Sequence, residues 1–370
     1  MKKIMVVSAP YGNGHHQAAM TLVNQFVAQG HIVEHFDIIA DEYPKIAKIT
    51  TDIYKLSFKP SLHKVYKFSY DAVEKMVESK LYSQLSSVLG RSKAYERIME
   101  FQPDAIVSTF PVPAISAMKQ QGKISQPLFE VITDYTAHRT WFHPAIDHYF
   151  VADAIVQEIG QLKAEIGHDK FTITGIPVRE MFEDSTPLAS TVYAEYELQA
   201  EQPILLFIAG AAGVVTNVEA TLRELLVHET LQIVFIAGKN EKLQQQVADL
   251  ATEYEQRLVV LGYVEEIADL YRIADLVLTK PGGITVSELA MTQTPAIFID
   301  PMPGQELDNA LLFSARQAAI IISQITELAP TAMHLLANPE ELKTMRQGYE
   351  RLRHPQAAQL IVEKVMHDGN

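Results

Sequence analysis

The sequence predicts an α/β protein built as two doubly wound, Rossmann-like domains in series, and three observations carry that prediction. Short apolar runs bounded by glycine, proline or polar residues alternate with amphipathic segments almost throughout, the pattern of parallel strands covered on both faces by helices. The rhythm stops once, in a charged, strandless stretch from Arg179 to Gln202 that holds Pro187, and restarts after Pro203. The length of 370 residues suits two domains of roughly 150–200 residues rather than one ordinary core.

The elements follow in order. Lys3–Ser8 reads as a strand, followed by a glycine-containing turn, a helix over His15–Gln29 and a strand over Ile32–Asp37. Met1-Lys2-Lys3 and the apolar run behind it superficially resemble a signal peptide, but Pro10, Gly12 and Asn13 interrupt the run before an h-region of useful length. Beyond residue 100 come strand Ala105–Thr109, helix Val112–Gln121, strands Leu128–Thr133 and His148–Val151, helix Asp153–Ile166 and strand Phe171–Gly175. In the second half, strand Ile204–Ala209 leads through Gly210 and Gly213 to a helix. Strands Gln232–Ala237, Leu258–Leu261, Leu276–Thr279, Ala296–Ile299 and Ala319–Ile322 follow, each with a helix behind it. The predicted boundaries are 1–180, a linker over 181–202 and a second domain over 203–352. Two such domains place a cleft between the carboxyl ends of two sheets.

Composition excludes several classes. Cysteine is absent, which removes disulfides, thiolate metal sites and thiol nucleophiles. The longest apolar stretch, Ile204–Val215, has 12 residues with two glycines, too short to span a bilayer. A net charge of −14 argues against nucleic acid as partner. The charge is uneven, however: Tyr43–Glu100 carries 11 Lys/Arg against 6 Asp/Glu, leaving −19 for the rest. No Asp-x-Asp or Gly-x-Ser-x-Gly occurs, so neither a metal-bound diphosphate nor serine-hydrolase chemistry is expected, and no cofactor.

Three loops carry candidate chemistry. The first, Ser8-Ala9-Pro10-Tyr11-Gly12-Asn13-Gly14-His15-His16-Gln17, has a Gly-x-Gly after the first strand and Asp37 at the end of the second, but Gln17 stands where a dinucleotide fingerprint needs its third glycine. His15 opens a helix at the carboxyl edge of the sheet, where it can accept a proton from an acceptor hydroxyl; capping the helix or bracing the turn is the equal alternative. The second, Thr279-Lys280-Pro281-Gly282-Gly283-Ile284-Thr285-Val286-Ser287-Glu288, presents free amides and the positive end of a helix dipole to a diphosphate. Glu288, one turn in, can accept from ribose hydroxyls, while Thr285 and Glu288 also match a capping box. The third, Asp300-Pro301-Met302-Pro303-Gly304-Gln305-Glu306-Leu307-Asp308-Asn309, gathers the hydrogen-bonding groups that discrimination of sugar hydroxyls requires.

At these residues the chain resembles the glycolipid synthases that include the processive diacylglycerol β-glucosyltransferases and the monogalactosyldiacylglycerol synthases, and more distantly the glycosyltransferase that makes lipid II. The resembling stretches are Ser8–Ala19, Val131–Trp141, Ile173–Val178, Ile208–Asn217, Ala237–Asn240, Leu261–Asp269, Thr279–Glu288 and Pro301–Asn309. The resemblance implies a GT-B fold, two facing Rossmann-like domains with an inter-domain cleft, the acceptor in the first and a UDP-sugar in the second. Residues 353–370 would form a helix crossing back to the first domain. It implies an enzyme of the EC 2.4.1 type, an inverting transfer of a hexose, glucose by expectation, from a UDP-sugar to 1,2-diacylglycerol. His15 becomes the base. Gly14, Gly210, Gly238, Lys239 and Val264 line the nucleotide; Gly282, Gly283, Ile284 and Glu288 form the diphosphate and ribose site; Gln305, Glu306 and Asn309 meet the sugar. Asp134 is a candidate either to orient the histidine or to meet the acceptor. The first loop departs from the run of glycines common in such proteins.

The basic segment then fits an anionic membrane surface at the cytoplasmic face, with the protein peripheral. It holds eight aromatics, and Tyr54–Leu62 interleaves apolar residues with lysines, so that Lys55, Phe58 and Lys59 are the expected docking residues. Val65, Phe68, Ala72, Met76 and Leu85 fall largely on one helical face, which is expected to pack on the domain's own core. Alternatives within the fold are a polyprenyl-linked sugar transferase or a UDP-sugar 2-epimerase; outside it, a non-catalytic nucleotide-sugar sensor that needs no His15.

Overall fold

The computed structural model describes residues 1–10, 14–41, 91–183, 191–209 and 217–368, with the isolated positions Lys45, Lys48, Phe68, Ala72 and Met76. Two compact units emerge. The first comprises Met1–Glu180 with Pro303–Gln305 and His354–Asn370, the second Met181–Met302 with Glu306–Arg353.

In the first unit, β1 (Lys3–Ser8), β2 (Ile32–Asp37), β3 (Ala105–Ser108), β4 (Leu128–Val131), β5 (His148–Val151) and β6 (Phe171–Ile173) form one parallel sheet in the order β2-β1-β3-β4-β5-β6. β1 is held on both sides, Ile4 pairing with Val33 of β2 and with Ala105 of β3. Ile4 to Ser8 are all buried. Such near-continuous apolar runs are what strands buried on both faces require. Side chains alternate between the faces. Met5 and Val7 join a core with Ile106, Leu128 and Tyr149, and Ile4 and Val6 join one with Val107, Phe129 and Phe150. Helix Gly14–Ala28 covers the second face through Ala19, Leu22 and Phe26, beside Ala358, Ile361, Val362 and Val365 of the last helix, Ala357–Asp368.

The second sheet is likewise parallel, with order β12-β11-β10-β7-β8-β9, from β7 (Ile204–Ile208), β8 (Gln232–Ile236), β9 (Leu258–Leu261), β10 (Leu276–Thr279), β11 (Ala296–Ile299) and β12 (Ala319–Ile322). Leu205, Phe207, Ile233, Phe235, Leu276 and Leu278 share a core with Leu222 and Leu225 of helix Val218–Leu226 and Leu335 of helix Leu328–Leu336. In both sheets the chain runs outward from one strand and then returns to that strand's other side. The crevices so formed lie between β1 and β3 and between β7 and β10, the places where α/β sheets bind ligands.

Several expected strands end earlier. β3 stops at Ser108, β4 at Val131 and β6 at Ile173, although the next amides, those of Thr109, Ile132 and Thr174, still donate to carbonyls of the neighbouring strands. The stretch expected as linker holds two short helices, Glu180–Glu183 and Thr191–Glu195, anchored by buried Phe182 and Val192; Pro187 lies outside the described residues. The apolar stripe expected on the core is exposed at Phe68 (76%) and Met76 (50%). Helical spacing shows which residues share a face, not what covers it. Val65 and Leu85 lie outside the described residues. Among the described residues no helix is long and apolar enough to cross a membrane.

One buried charge stands apart. Glu130 of β4, on the face of Leu128, is 1% exposed, and among the described residues neither carboxylate oxygen has a hydrogen-bond partner. Burial raises its pKa well above the usual carboxylate range. The folded protein thus keeps a proton that the unfolded chain releases, so this stability is present in acid and lost as pH rises from the ordinary carboxylate range, at about 1.4 kcal/mol per pH unit. Glu130→Gln, neutral throughout, is expected to flatten the decline of melting temperature between pH 5 and pH 8. An unchanged decline would place the titration elsewhere.

Candidate active site

The acceptor-side candidates sit at the first crevice. His15 is the second residue of helix Gly14–Ala28, directly after the loop that leaves β1. Its Nδ1 lies 2.8 Å from the carbonyl oxygen of Thr109 and 2.8 Å from Oγ1 of Thr133. A carbonyl can only accept, so Nδ1 carries the proton and Nε2 keeps its lone pair. Thr109 is itself fixed twice: its amide donates to the Val7 carbonyl at 2.9 Å and its hydroxyl to the His15 carbonyl at 2.8 Å. Phe110 stands edge-on to the imidazole at 5.2 Å, and the Trp141 ring is 5.9 Å away. Burial among these groups lowers the His15 pKa to about 4, offset in part by the Thr109 carbonyl. The ring is therefore neutral at physiological pH and ready to accept a proton.

The reading that His15 merely caps its helix is not what the geometry shows, because its ring bonds residues from the ends of β3 and β4 instead. Asp134 does not supply the orienting bond either. It is buried at the end of β4, one residue beyond Thr133, which does. His16 diverges: its ring lies 5.5 Å from that of His35, which bonds the Ser8 hydroxyl. Thr109, Thr133, Phe110 and Trp141 escaped sequence reasoning. The available signal was a threonine closing each of two apolar strands, but only the strand order β1-β3-β4 brings both strand ends to the histidine that follows β1.

The donor-side candidates belong to the second unit. Helix Gly283–Thr292 starts directly after β10, with Gly282 as N-cap and no side-chain cap. The capping box read at Thr285 and Glu288 is therefore not formed, because Thr285 already lies inside the helix. A Cβ at Gly282 would meet only Thr285 Oγ1, at 3.9 Å, and its φ is −66°. Neither packing nor backbone demands glycine there, and the absence of a side chain leaves room beside the first helix amides. Ile284 and Glu288 are buried in that helix. Gly238, after β8, has φ +61°, a left-handed turn that favours glycine. Lys239 places its ammonium over the Tyr263 ring at 5.1 Å, which holds the turn after β8 beside the loop of Val264 after β9.

In the third loop, Gln305 begins helix Gln305–Ala315 and is half-buried, as is Glu306, whose Oε2 accepts from the Met302 amide at 2.9 Å. Asn309, expected to meet a sugar, is 0% exposed and donates to the Pro281 carbonyl at 3.1 Å. It braces two loops together. Gly210, Lys55, Phe58 and Lys59 lie outside the described residues, as do Tyr11, Gly12 and Asn13 of the first loop.

Two crevices of this kind in parallel α/β units, one with a neutral histidine and one with an open helix start, fit a glycosyltransferase, and the comparisons with known proteins show that class. Residues 15–178 match the family described as monogalactosyldiacylglycerol (MGDG) synthase, and residues 204–361 the glycosyltransferase family 28 C-terminal domain. The chain is 34% identical to the processive diacylglycerol beta-glucosyltransferase of Bacillus cytotoxicus, over 100% of this chain and 94% of that protein. It is also 34% identical to the protein of that name from Bacillus subtilis, over 100% and 96%. The chain belongs to this family of diacylglycerol glycosyltransferases. Among solved structures, Acinetobacter baumannii MurG matches with TM-score 0.64 and 17% identity over 99% of this chain and 100% of that one. The S. aureus MnaA–UDP structure matches with 0.66 and 12% over 100% and 98%. These establish the GT-B fold.

Three outcomes are expected. His15→Ala should lower turnover at least about 10²-fold while UDP binding changes little. In the parent, the acid limb of kcat/KM should fall near pH 4 rather than at the 6.5 of a free imidazole; a limb at 6.5 would separate the titrating base from His15. For Glu288, replacement by Ala should weaken UDP affinity with little change in melting temperature, since no cap is lost. A lowered melting temperature with unchanged affinity would make Glu288 a packing residue.

Proposed function

We propose that this protein transfers glucose, with inversion, from UDP-glucose to the free hydroxyl of 1,2-diacylglycerol at an anionic membrane surface. The observation that carries the reading is the neutral His15, its Nδ1 proton committed to Thr109 and its Nε2 lone pair without a hydrogen-bond partner among the described residues. As the acceptor hydroxyl attacks the anomeric carbon, Nε2 takes its proton, the bond from that carbon to the diphosphate oxygen breaks, and UDP leaves. The first amides of helix Gly283–Thr292 stabilise the charge that grows on the diphosphate, without a metal ion. Diacylglycerol as acceptor is supported by the names of the full-length relatives and the matching synthase family. A UDP donor is supported by the UDP-bound structure that shares the fold.

Membrane docking is assigned to Tyr54–Leu62 by its charge: a net +5 over Tyr43–Glu100 within a chain of −14 binds an anionic leaflet only through a local field.

The test is incubation of the protein with radiolabelled UDP-glucose and, separately, UDP-galactose, plus diacylglycerol liposomes, and separation of the lipid products. Labelled glucosyl-diacylglycerol is expected, and it should form equally in EDTA. Loss with chelator that magnesium restores would refute the metal-free diphosphate site; no lipid product from either donor would refute the activity. Replacing Lys55 and Lys59 by Glu should release the protein from anionic vesicles while UDP binding in solution persists.

A further inference from the structure

Asp300, the residue after β11, has φ +40°, in the left-handed region that L side chains avoid. Pro301 follows it, and a following proline restricts the backbone further. Such a conformation persists only where the surroundings hold it. The Asp300 amide donates to the Ile322 carbonyl at 2.8 Å, and its carbonyl is reached by Lys280, the residue after the neighbouring strand β10. The Lys280 ammonium donates to the Asp300 main-chain carbonyl and stands 3.9 Å from its carboxylate. The Lys280 side chain is only 15% exposed. Burial lowers its pKa, while the nearby charges of Glu306 and Asp300 act to raise it. Glu306 in turn caps the Met302 amide at 2.9 Å, and Asn309 bonds the Pro281 carbonyl from the other side. The loop that begins Thr279-Lys280-Pro281 is thus tied at two points to the chain that leaves Asp300.

We propose that Lys280 is a positioning residue for donor-sugar recognition: by gripping the Asp300 carbonyl it fixes the turn from which Pro301–Asn309 departs, and so sets the hexose-recognising groups against the diphosphate site. Lys280 acts through Asp300 and does not bind UDP. This rests on the reading that Gly282–Glu288 takes the diphosphate and ribose and that the Gln305–Glu306 turn takes the hexose. Its physical signature is a split between the nucleotide and the sugar. Uridine diphosphate alone does not reach the braced turn, whereas UDP-glucose does.

The experiment uses the full chain, with UDP affinity by calorimetry, donor kinetics on diacylglycerol liposomes, and melting temperature. Lys280→Met keeps the bulk of the side chain and removes the donor. It is expected to raise KM for UDP-glucose at least about tenfold while UDP affinity stays within about threefold of the parent. Adding Asp300→Gly, which adopts φ +40° unaided, should bring KM of the double variant back toward the parent value and recover the melting temperature that Lys280→Met loses. A parallel fall in UDP affinity would mean that Lys280 contacts the nucleotide, and no recovery in the double variant would mean that the turn is not what Lys280 holds; either overturns the inference. Should Lys280→Met not fold, Lys280→Leu, which also lacks a donor, carries the same comparison. If the parent itself neither binds UDP nor transfers glucose, the proposed function falls, and the recovery of melting temperature still decides the brace.

Discussion

A parallel sheet with two apolar faces must be covered on both, and in the first unit that constraint governs the rest. Ile4 and Val6 of β1 bury against a layer that the local helix Gly14–Ala28 fills only in part, and the last helix of the chain, Ala357–Asp368, completes it. Burial of side chains the size of Ile361, Val362 and Val365 is worth roughly 1.5–3 kcal/mol each, so the closing helix is a substantial contributor to the stability of a unit formed mostly by residues far earlier in sequence. Once both faces are sealed, the carboxyl ends of the strands are the open edge, and the polar chemistry of the unit gathers there.

That edge also sets the state of its histidine, with no carboxylate partner among the described residues. His15 is oriented by a main-chain carbonyl and a threonine hydroxyl, both uncharged. An aspartate in the same position would raise the imidazole pKa; the carbonyl fixes the tautomer while burial keeps the ring neutral. The arrangement favours a group that must be deprotonated before it works, and it is built from strand ends that the sheet already holds at fixed spacing.

The second unit differs in what it leaves open, the main-chain amides at a helix start. Helix Gly283–Thr292 leaves its start uncapped by any side chain, and the glycine there serves neither packing nor dihedral need. The neighbouring loops are instead made rigid by side chains. Lys239 lies over Tyr263, Asn309 ties to Pro281, and Lys280 holds a left-handed Asp300. Polar residues in these loops divide between those that brace and those that remain for a ligand.

That division marks what sequence could and could not yield. The alternation of apolar runs and amphipathic helices determined all twelve strands and the doubly wound class, because side-chain periodicity is a local property. Glycine turns and the histidine after β1 located both crevices, because each lies at the end of a strand whose boundaries are written locally. The partners of those residues were another matter. Asn309 read as a sugar ligand and is a brace, Asp134 read as a candidate orienter and Thr109 and Thr133 take that place, and Lys280 gave no sign of its grip on Asp300. Each of these depends on which strand lies beside which, β3 beside β1 and β11 beside β10. Strand order is decided by long-range packing over the two faces of a sheet, and only the tertiary structure brings those strand ends together.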